Sequence, residues 1–201
     1  MKLANIHEQV DGDVKLGFEI HFKPPVGYLK WLSNLVSGHP VNYIRKQGME
    51  HVERGRRLEA NTHVDAVIES DNLLILVEVK FTSDISHDVT FNPIRNQLVR
   101  NIDVGLEEAK KKGKHLIVLL CTPAELYHKK SRFYYYKIQE YTDINKISED
   151  LECRPIEEIR KHLLKVAWIP LEKVIEAIYQ NLSSPEIQQA KEFFAERKLQ
   201  T

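Results

Sequence analysis

The sequence is poor in the features that define several large classes of protein. Its 201 residues include two cysteines, Cys121 and Cys153, and neither stands in a CxxC pair. A structural zinc site built on cysteines is therefore not expected, and two reduced thiols are the simplest interpretation. The nine histidines include no pair with HxxxH or HExxH spacing, which argues against a histidine zinc site.

Other signatures are also missing from the chain. No apolar run approaches the ~20 residues of a membrane-spanning helix, and Met1–Glu8 carries charged and polar residues where a signal peptide needs an apolar run. The sequence therefore predicts a cytoplasmic protein without a membrane partner. There is no Walker loop, GxGxxG or GxSxG, which argues against nucleotide kinases, dinucleotide oxidoreductases and serine hydrolases.

The chain has no excess of charge, because 29 Lys and Arg residues balance 29 Asp and Glu residues. A neutral protein needs local basic patches to attract nucleic acid. Three basic clusters occur: Arg54, Arg56 and Arg57; Lys110–Lys114; and His128–Arg132. Each cluster either contacts a phosphate backbone or is a solvated helix end or loop.

Periodicity and turn residues predict an α/β fold with a central mixed sheet flanked by helices. The apolar fraction of 42% is enough to fill a core, and the length suits a single domain over residues 1–201, with a core at about 45–122. An N-terminal helical or irregular segment (1–44) and a strand and helix extension (123–201) would pack on it. The predicted strands are 62–69, 73–82, 115–121, 133–136 and 167–169; the predicted helices are 28–36, 92–112 (Asn92 as N-cap, Pro93 first, Gly113 as C-cap), 155–166, 171–182 and 185–198.

The second strand is interrupted by charge. Glu78 and Lys80 are two residues apart, so they point to the same face of the strand, where burial is costly unless the charges are paired or bind an ion. If Asp71 and Asn72 form the turn after the first strand, Ser70 faces Leu73. The same register then brings Asp65 opposite Glu78 and His63 opposite Lys80.

Facing carboxylates about 4.5–5.5 Å apart repel each other. A divalent cation between them reverses that interaction, and oxygen ligands favour Mg²⁺, Mn²⁺ or Ca²⁺. We expect Asp65, Glu78 and the backbone carbonyl of Val79 to hold the ion, and Lys80 to stabilise the transition state or orient the attacking water during phosphodiester hydrolysis. The alternative is a structural Glu78–Lys80 ion pair on a sheet face without function.

This pattern resembles the PD-(D/E)XK nuclease superfamily over residues 45–122. The matching residues are His63-Val64-Asp65 and Glu78-Val79-Lys80, with Val64 in place of the signature proline. The resemblance implies a restriction-endonuclease-like fold, Asp65 and Glu78 as metal ligands, Lys80 as a catalytic residue and Mg²⁺ or Mn²⁺ as cofactor. It also implies a nucleic-acid substrate, with DNA favoured over RNA, and makes a homodimer plausible.

Further site residues follow from the same resemblance. Gln97 takes the place of a glutamine that many members carry on the helix after the ExK strand, whereas Asn101 stands where a tyrosine is frequent. Members often add an upstream glutamate, for which the candidates are Glu19, Glu50, Glu53 and Glu59. Predicted nucleic-acid contacts are Arg54, Arg56, Arg57, His63, Arg95 and Arg100, although Arg95 and Arg100 also fit a solvated helix surface.

Three functions remain open from the sequence. The first is a metal-dependent nuclease. The second is a catalytically inactive nucleic-acid-binding or assembly module that keeps the nuclease fold. The third is an interaction protein in which the acids and the lysine form only a salt-bridge network.

Overall fold

A computed structural model describes residues 10–89, 91–127, 129–180 and 183–196 of the chain. In chain order the elements are β1 (Lys15–Phe22), α1 (Val26–Ser37), α2 (Asn42–Glu53), β2 (Thr62–Glu69), β3 (Leu73–Val79), β4 (His87–Val89), β5 (Asn92–Asn96), α3 (Gln97–Lys112), β6 (His115–Thr122), α4 (Ala124–Tyr127), α5 (Phe133–Glu140), α6 (Ile144–Asp150), α7 (Ile156–His162), β7 (Leu163–Pro170), α8 (Leu171–Tyr179) and α9 (Ser184–Glu196). None of the helices in these ranges is long and apolar enough to cross a membrane.

The centre of the fold is a five-stranded mixed sheet with the order β1-β2-β3-β6-β7. The pairs β1–β2 and β2–β3 are antiparallel, whereas β3–β6 and β6–β7 are parallel. Parallel strands need a crossover, and α3 supplies it between β3 and β6. Leu76 packs with α3 on one face, and Ile75 packs with Ile117 and Ile169 on the other. The predicted α/β class with a helix-flanked mixed sheet is confirmed.

The predicted β2–β3 register is also confirmed where the strands pair. Ser70 N–H donates to the Leu73 carbonyl at 2.9 Å, and the pairs run from Glu69–Leu74 to Ala66–Val77. The strand predicted for 73–82 ends at Val79, so Lys80 lies just beyond it. The apolar side chains before Glu78 are buried on both faces, which fixes this register because a slip of one residue would reverse every side chain.

The predicted start of the long helix is wrong. Residues 92–96 form β5, and α3 begins at Gln97, where the Asn96 side chain accepts a hydrogen bond from Val99 N–H. Asn92 and Asn96 are both good caps, and Pro93 is tolerated in a short two-stranded ribbon. The predicted end is confirmed: Gly113 adopts φ 66° and closes the last turn.

The sheet also extends beyond the predicted core of 45–122. Its edge strand β1 comes from the segment expected to be helical or irregular, and β7 occupies 163–170, where a helix to 166 was predicted. The predicted strand at 133–136 is wrong as well, because α5 begins there. The Asp84 carboxylate accepts the N–H groups of Phe133 and Tyr134, which caps that helix.

Two further predicted helices are present in the described part of the chain. The helix predicted for 171–182 ends at Tyr179, and residues 181–182 lie outside the described ranges. The helix predicted for 185–198 spans Ser184–Glu196, and residues 197–198 are also outside them. The predicted helix at 28–36 is confirmed as part of α1.

Candidate functional site

Three polar side chains converge on the buried carboxylate of Glu78 at the end of β3. Glu78 is 1% exposed. Its Oε1 accepts hydrogen bonds from Gln97 Nε2 at 2.6 Å and from Lys80 Nζ at 2.9 Å, and its Oε2 accepts one from Asn101 Nδ2 at 3.0 Å. The structure therefore brings together Glu78, Lys80 and Gln97, which the sequence predicted for one site.

Asn101 belongs to this group, although the sequence predicted no role for it. It lies four residues after Gln97, so both side chains leave the same face of α3. Asn101 is fully buried, and among the described residues its Oδ1 has no hydrogen-bond partner. The spacing from Gln97 is the signal that points to Asn101. The two amide groups hold both oxygens of Glu78 and fix the orientation of its carboxylate.

Asp65 lies where β2 and β3 begin to separate. Beyond the Ala66–Val77 pair, its Oδ2 accepts the backbone N–H of Val79 at 2.6 Å. Asp65 thereby holds the chain between Glu78 and Lys80. Val79 contacts it through the amide nitrogen, so the predicted metal-binding role of the Val79 carbonyl stays a prediction.

The pKa of Glu78 is raised above its ordinary value. Burial is the largest cause because it penalises the charged form, and the negative charge of Asp65 adds to it. The hydrogen bond and positive charge of Lys80 act in the opposite direction. A cation beside these carboxylates would favour their ionised forms.

A second group of potential ligands adjoins Asp65. One ligand atom each from Glu19, His63 and Asp65 lie within 4.8 Å of one another. His63 Nε2 and Glu19 Oε2 are 2.5 Å apart, and the His63 ring lies 4.5 Å from that of His21. His63 was predicted to lie opposite Lys80. In the structure it contacts Glu19 and lies close to Asp65.

Of the four candidate upstream glutamates, Glu19 is the one that lies beside Asp65. The β1–β2 register brings it opposite Asp65, between the pairs Phe18–Ala66 and Ile20–Val64. Its φ of 53° is left-handed, which costs a non-glycine residue about 1–3 kcal/mol. By contrast, the Glu59 carboxylate is buried against Arg95.

Glu19, His63 and Asp65 are the kind of side-chain group that can hold a divalent cation. Glu19 and Asp65 offer hard oxygen ligands that suit Mg²⁺ and Mn²⁺, and His63 adds a nitrogen ligand that transition metals accept. Asp65 neighbours the carboxylates of both Glu19 and Glu78, and positive charge nearby offsets the repulsion between like charges. Lys80 supplies one such charge to Glu78, and a bound cation would supply more.

The prediction that Arg95 contacts nucleic acid is wrong. Arg95 is 1% exposed and its guanidinium pairs with Glu59 and Asp103, so it cannot reach a phosphate. Arg100 also points into the protein, where its Nη2 donates to the Asn61 carbonyl at 3.1 Å. Arg54, Arg56 and Arg57 are exposed before β2, and their role stays a prediction.

The raised pKa of Glu78 predicts how stability depends on pH without metal. The folded protein keeps a proton that the unfolded chain releases near the ordinary value of 4.5. The stability that the neutral acid contributes is full below that pH and is lost as pH rises through the folded pKa. We therefore expect the free energy of unfolding of the parent, measured relative to Glu78→Gln, to fall as pH rises above about 4.5.

Urea denaturation of the two proteins at a series of pH values tests this. The subtraction removes the contributions of carboxylates with lowered pKa, such as Glu69, which act with the opposite sign. A difference in the free energy of unfolding that does not change with pH would contradict the expected burial of an ionisable Glu78.

The two groups form one connected site at the edge of the sheet where β1, β3 and β6 end and β2 begins. Asp65 joins them, since it neighbours Glu78 on one side and Glu19 with His63 on the other. Comparisons of the chain with protein-family models, with curated proteins and with solved structures find no match in any of the three.

Proposed function

We propose that the chain is a divalent-metal-dependent nuclease with a restriction-endonuclease-like fold, which hydrolyses phosphodiester bonds with DNA preferred over RNA. The observation that supports it most is the convergence of Gln97, Asn101 and Lys80 on the buried carboxylate of Glu78, beside Asp65. Burying a carboxylate is costly even when three donors offset part of the cost, and buried groups with perturbed pKa values are common at active sites.

The metal site in this proposal uses Asp65 and Glu78, with Glu19 and His63 as further ligands. A bound Mg²⁺ or Mn²⁺ would polarise the phosphodiester and lower the pKa of an attacking water. Gln97 and Asn101 orient Glu78, and the Asp65 contact with Val79 N–H fixes the chain that carries it. These contacts preorganise the carboxylates before any substrate binds.

Lys80 provides the positive charge on the substrate side. Its side chain is 15% exposed, and its Nζ lies 2.9 Å from Glu78. This places an ammonium at the rim of a buried acidic site, where it can stabilise the negative charge that develops on the reacting phosphate or orient water. The ion pair with Glu78 already restricts the Lys80 side chain, so Lys80 loses less conformational entropy when it acts in the reaction.

A catalytically inactive nucleic-acid-binding or assembly module is the alternative. The observation that favours it is that the polar groups already have partners within the site: Lys80 pairs with Glu78, and His63 Nε2 lies within hydrogen-bond distance of Glu19 Oε2. Such a network is also what a purely structural role requires. The homodimer suggested by the resemblance stays a prediction.

A cleavage assay on a panel of substrates tests the proposal. Purified protein is incubated with Mg²⁺, Mn²⁺ or EDTA and with duplex DNA, single-stranded DNA or RNA. We expect cleavage of DNA with metal only, and a loss of about 100-fold or more in Lys80→Ala. Lys146→Ala is the matched control, because Lys146 is an exposed lysine that pairs with Glu149 on α6.

The outcomes separate the candidate functions. Cleavage that persists in Lys80→Ala would place the active site elsewhere. Binding of nucleic acid without cleavage under any condition would favour the inactive module. A protein that neither binds nucleic acid nor changes its thermal stability with Mn²⁺ would favour the structural network.

A further inference from the structure

A row of aromatic side chains extends away from the candidate site, from strand β7 to helices α4 and α5. This aromatic ladder consists of Trp168 on β7, Tyr127 at the end of α4, and Tyr135 and Tyr136 on α5. The Tyr127 and Trp168 rings stack with centroids 3.8 Å apart and planes 13° apart. Tyr135 follows at 5.8 Å from Tyr127, and Tyr136 at 5.2 Å from Tyr135.

Hydrogen bonds connect the ladder to the candidate site. Lys80 N–H donates to the Cys121 carbonyl at 2.8 Å. The next residue, Thr122, accepts a hydrogen bond from the Trp168 indole N–H at 2.9 Å. The inner end of the ladder therefore lies one residue along β6 from the contact with Lys80, at the same edge of the sheet.

The loop after Lys80 is also attached to the helix that carries the outer end of the ladder. The Asp84 carboxylate accepts the N–H groups of Phe133 and Tyr134 at the start of α5. Phe81, directly after Lys80, is 43% exposed, and Tyr136 is 48% exposed. Phe81 and Tyr136, one near each end of this connection, thus present aromatic side chains to solvent. Packing in the core does not explain their exposure.

Positive charge accompanies these aromatic residues. Lys129 and Lys130 are exposed between Tyr127 and α5, and Arg132 immediately precedes α5. The Asp84 carboxylate in the loop after Lys80 is already bound to backbone amides. Because the whole protein has no net charge, this local basic segment is a feature that an anionic ligand would use.

We propose that the surface formed by the aromatic ladder, Phe81 and the basic residues before α5 binds single-stranded DNA and leads it to the candidate site. Unpaired bases stack on Phe81 and on Tyr136 at the outer end of the ladder, while Lys129, Lys130 and Arg132 contact the phosphates. Stacked aromatic residues beside basic residues bind single strands because every unpaired base offers a π-face, whereas a duplex hides its bases. The choice of DNA rests on the proposed nuclease function.

Fluorescence anisotropy in EDTA tests this without cleavage. The probes are an oligothymidylate of ~20 nucleotides, longer than the ~4–16 that single-strand binding folds cover, an oligouridylate of the same length and a blunt DNA duplex. We expect Tyr136→Ala and Phe81→Ala each to weaken binding of the oligothymidylate by ~5- to 150-fold, with little change for the duplex. Tyr136→Trp should bind as the parent does.

Matched controls are available in the chain. Tyr43→Ala removes a 68% exposed tyrosine from α2 and should leave binding unchanged.

The phosphate contacts have a test of their own. Replacing both Lys129 and Lys130 by glutamine should reduce the slope of log K against log salt by about 1.4 for the single strand. An unchanged affinity of Tyr136→Ala for oligothymidylate, an equal loss for the duplex, or preferred binding of the oligouridylate would overturn the proposal.

The binding assay tests the single-strand surface and the cleavage assay tests the nuclease, and the two proposals can fail independently of each other. Ladder-dependent binding by a protein that cleaves no substrate would support the single-strand surface and contradict the nuclease. Metal-dependent cleavage by a protein whose single-strand binding ignores Tyr136 and Phe81 would support the nuclease and overturn the surface.

Discussion

Substitution of Glu78 by glutamine should reduce metal-dependent cleavage by at least about 100-fold while the fold is retained. The change preserves the shape of the side chain and removes the charge that a cation and Lys80 require. Glu78 makes three polar contacts at once, to Gln97, Asn101 and Lys80. Single-turnover cleavage rates with Mn²⁺ measure the effect, and circular dichroism checks the fold.

Glu69→Gln is the control on the same hairpin. The Glu69 carboxylate lies at the opposite end of β2, where it pairs with Lys112 and Lys114 at 2.7 Å each. Its replacement should leave the cleavage rate close to that of the parent. If Glu78→Gln cleaved as fast as Glu69→Gln, the buried carboxylate would have no part in catalysis.

Replacement of Arg95 by methionine should lower the free energy of unfolding by about 3–5 kcal/mol. Its guanidinium is buried between Glu59 and Asp103, at 2.8 and 2.6 Å, and lies 3.6 Å from the centroid of the Tyr28 ring. Methionine fills part of the volume and leaves two buried carboxylates with less compensating charge, although Arg154 still pairs with Asp103. Urea denaturation at neutral pH measures the loss.

Arg54→Met separates this effect from the loss of an arginine in general. Arg54 has a 63% exposed side chain and lies 3.5 Å from Glu50, so its replacement should cost no more than about 1 kcal/mol. Adding Glu59→Gln and Asp103→Asn to Arg95→Met should recover part of the stability, because the uncompensated charges are removed. Equal effects of Arg95→Met and Arg54→Met would contradict the buried network.

The centre of the fold was predictable because its signals are local. The apolar run of β3 and the turn at Ser70–Asn72 set both the strands and their register, and that register places Asp65 near Glu78. The role of Glu19 was less accessible. It lies in an edge strand with few buried side chains, and a left-handed backbone conformation at glutamate has no signature in sequence.

Arg95 illustrates how a wrong secondary structure reverses a residue's environment. A helix over 92–112 would put Ile94 on the same face as the apolar Leu98 and Ile102, at helical spacing, and Arg95 on a solvated flank. In β5 the alternation is opposite, with Ile94 47% exposed and Arg95 buried. The partner Glu59 lies 36 residues earlier, so only the tertiary fold brings the charges together. The capping of α5 by Asp84, about 50 residues before it, was inaccessible for the same reason.

The left-handed conformation of Glu19 affects how the edge strand of the sheet can pair with strands of other molecules. β1 is an edge of the sheet, and Leu16 and Phe18 on it are 60% and 65% exposed. A straight, apolar edge would recruit strands from other molecules and seed aggregates. Within the described residues, the left-handed backbone at Glu19 interrupts this edge strand after four residues and leaves three beyond it. The residue that lies opposite Asp65 is therefore also the irregularity in this edge strand, and such irregularities are one of the ways in which proteins discourage edge-to-edge pairing.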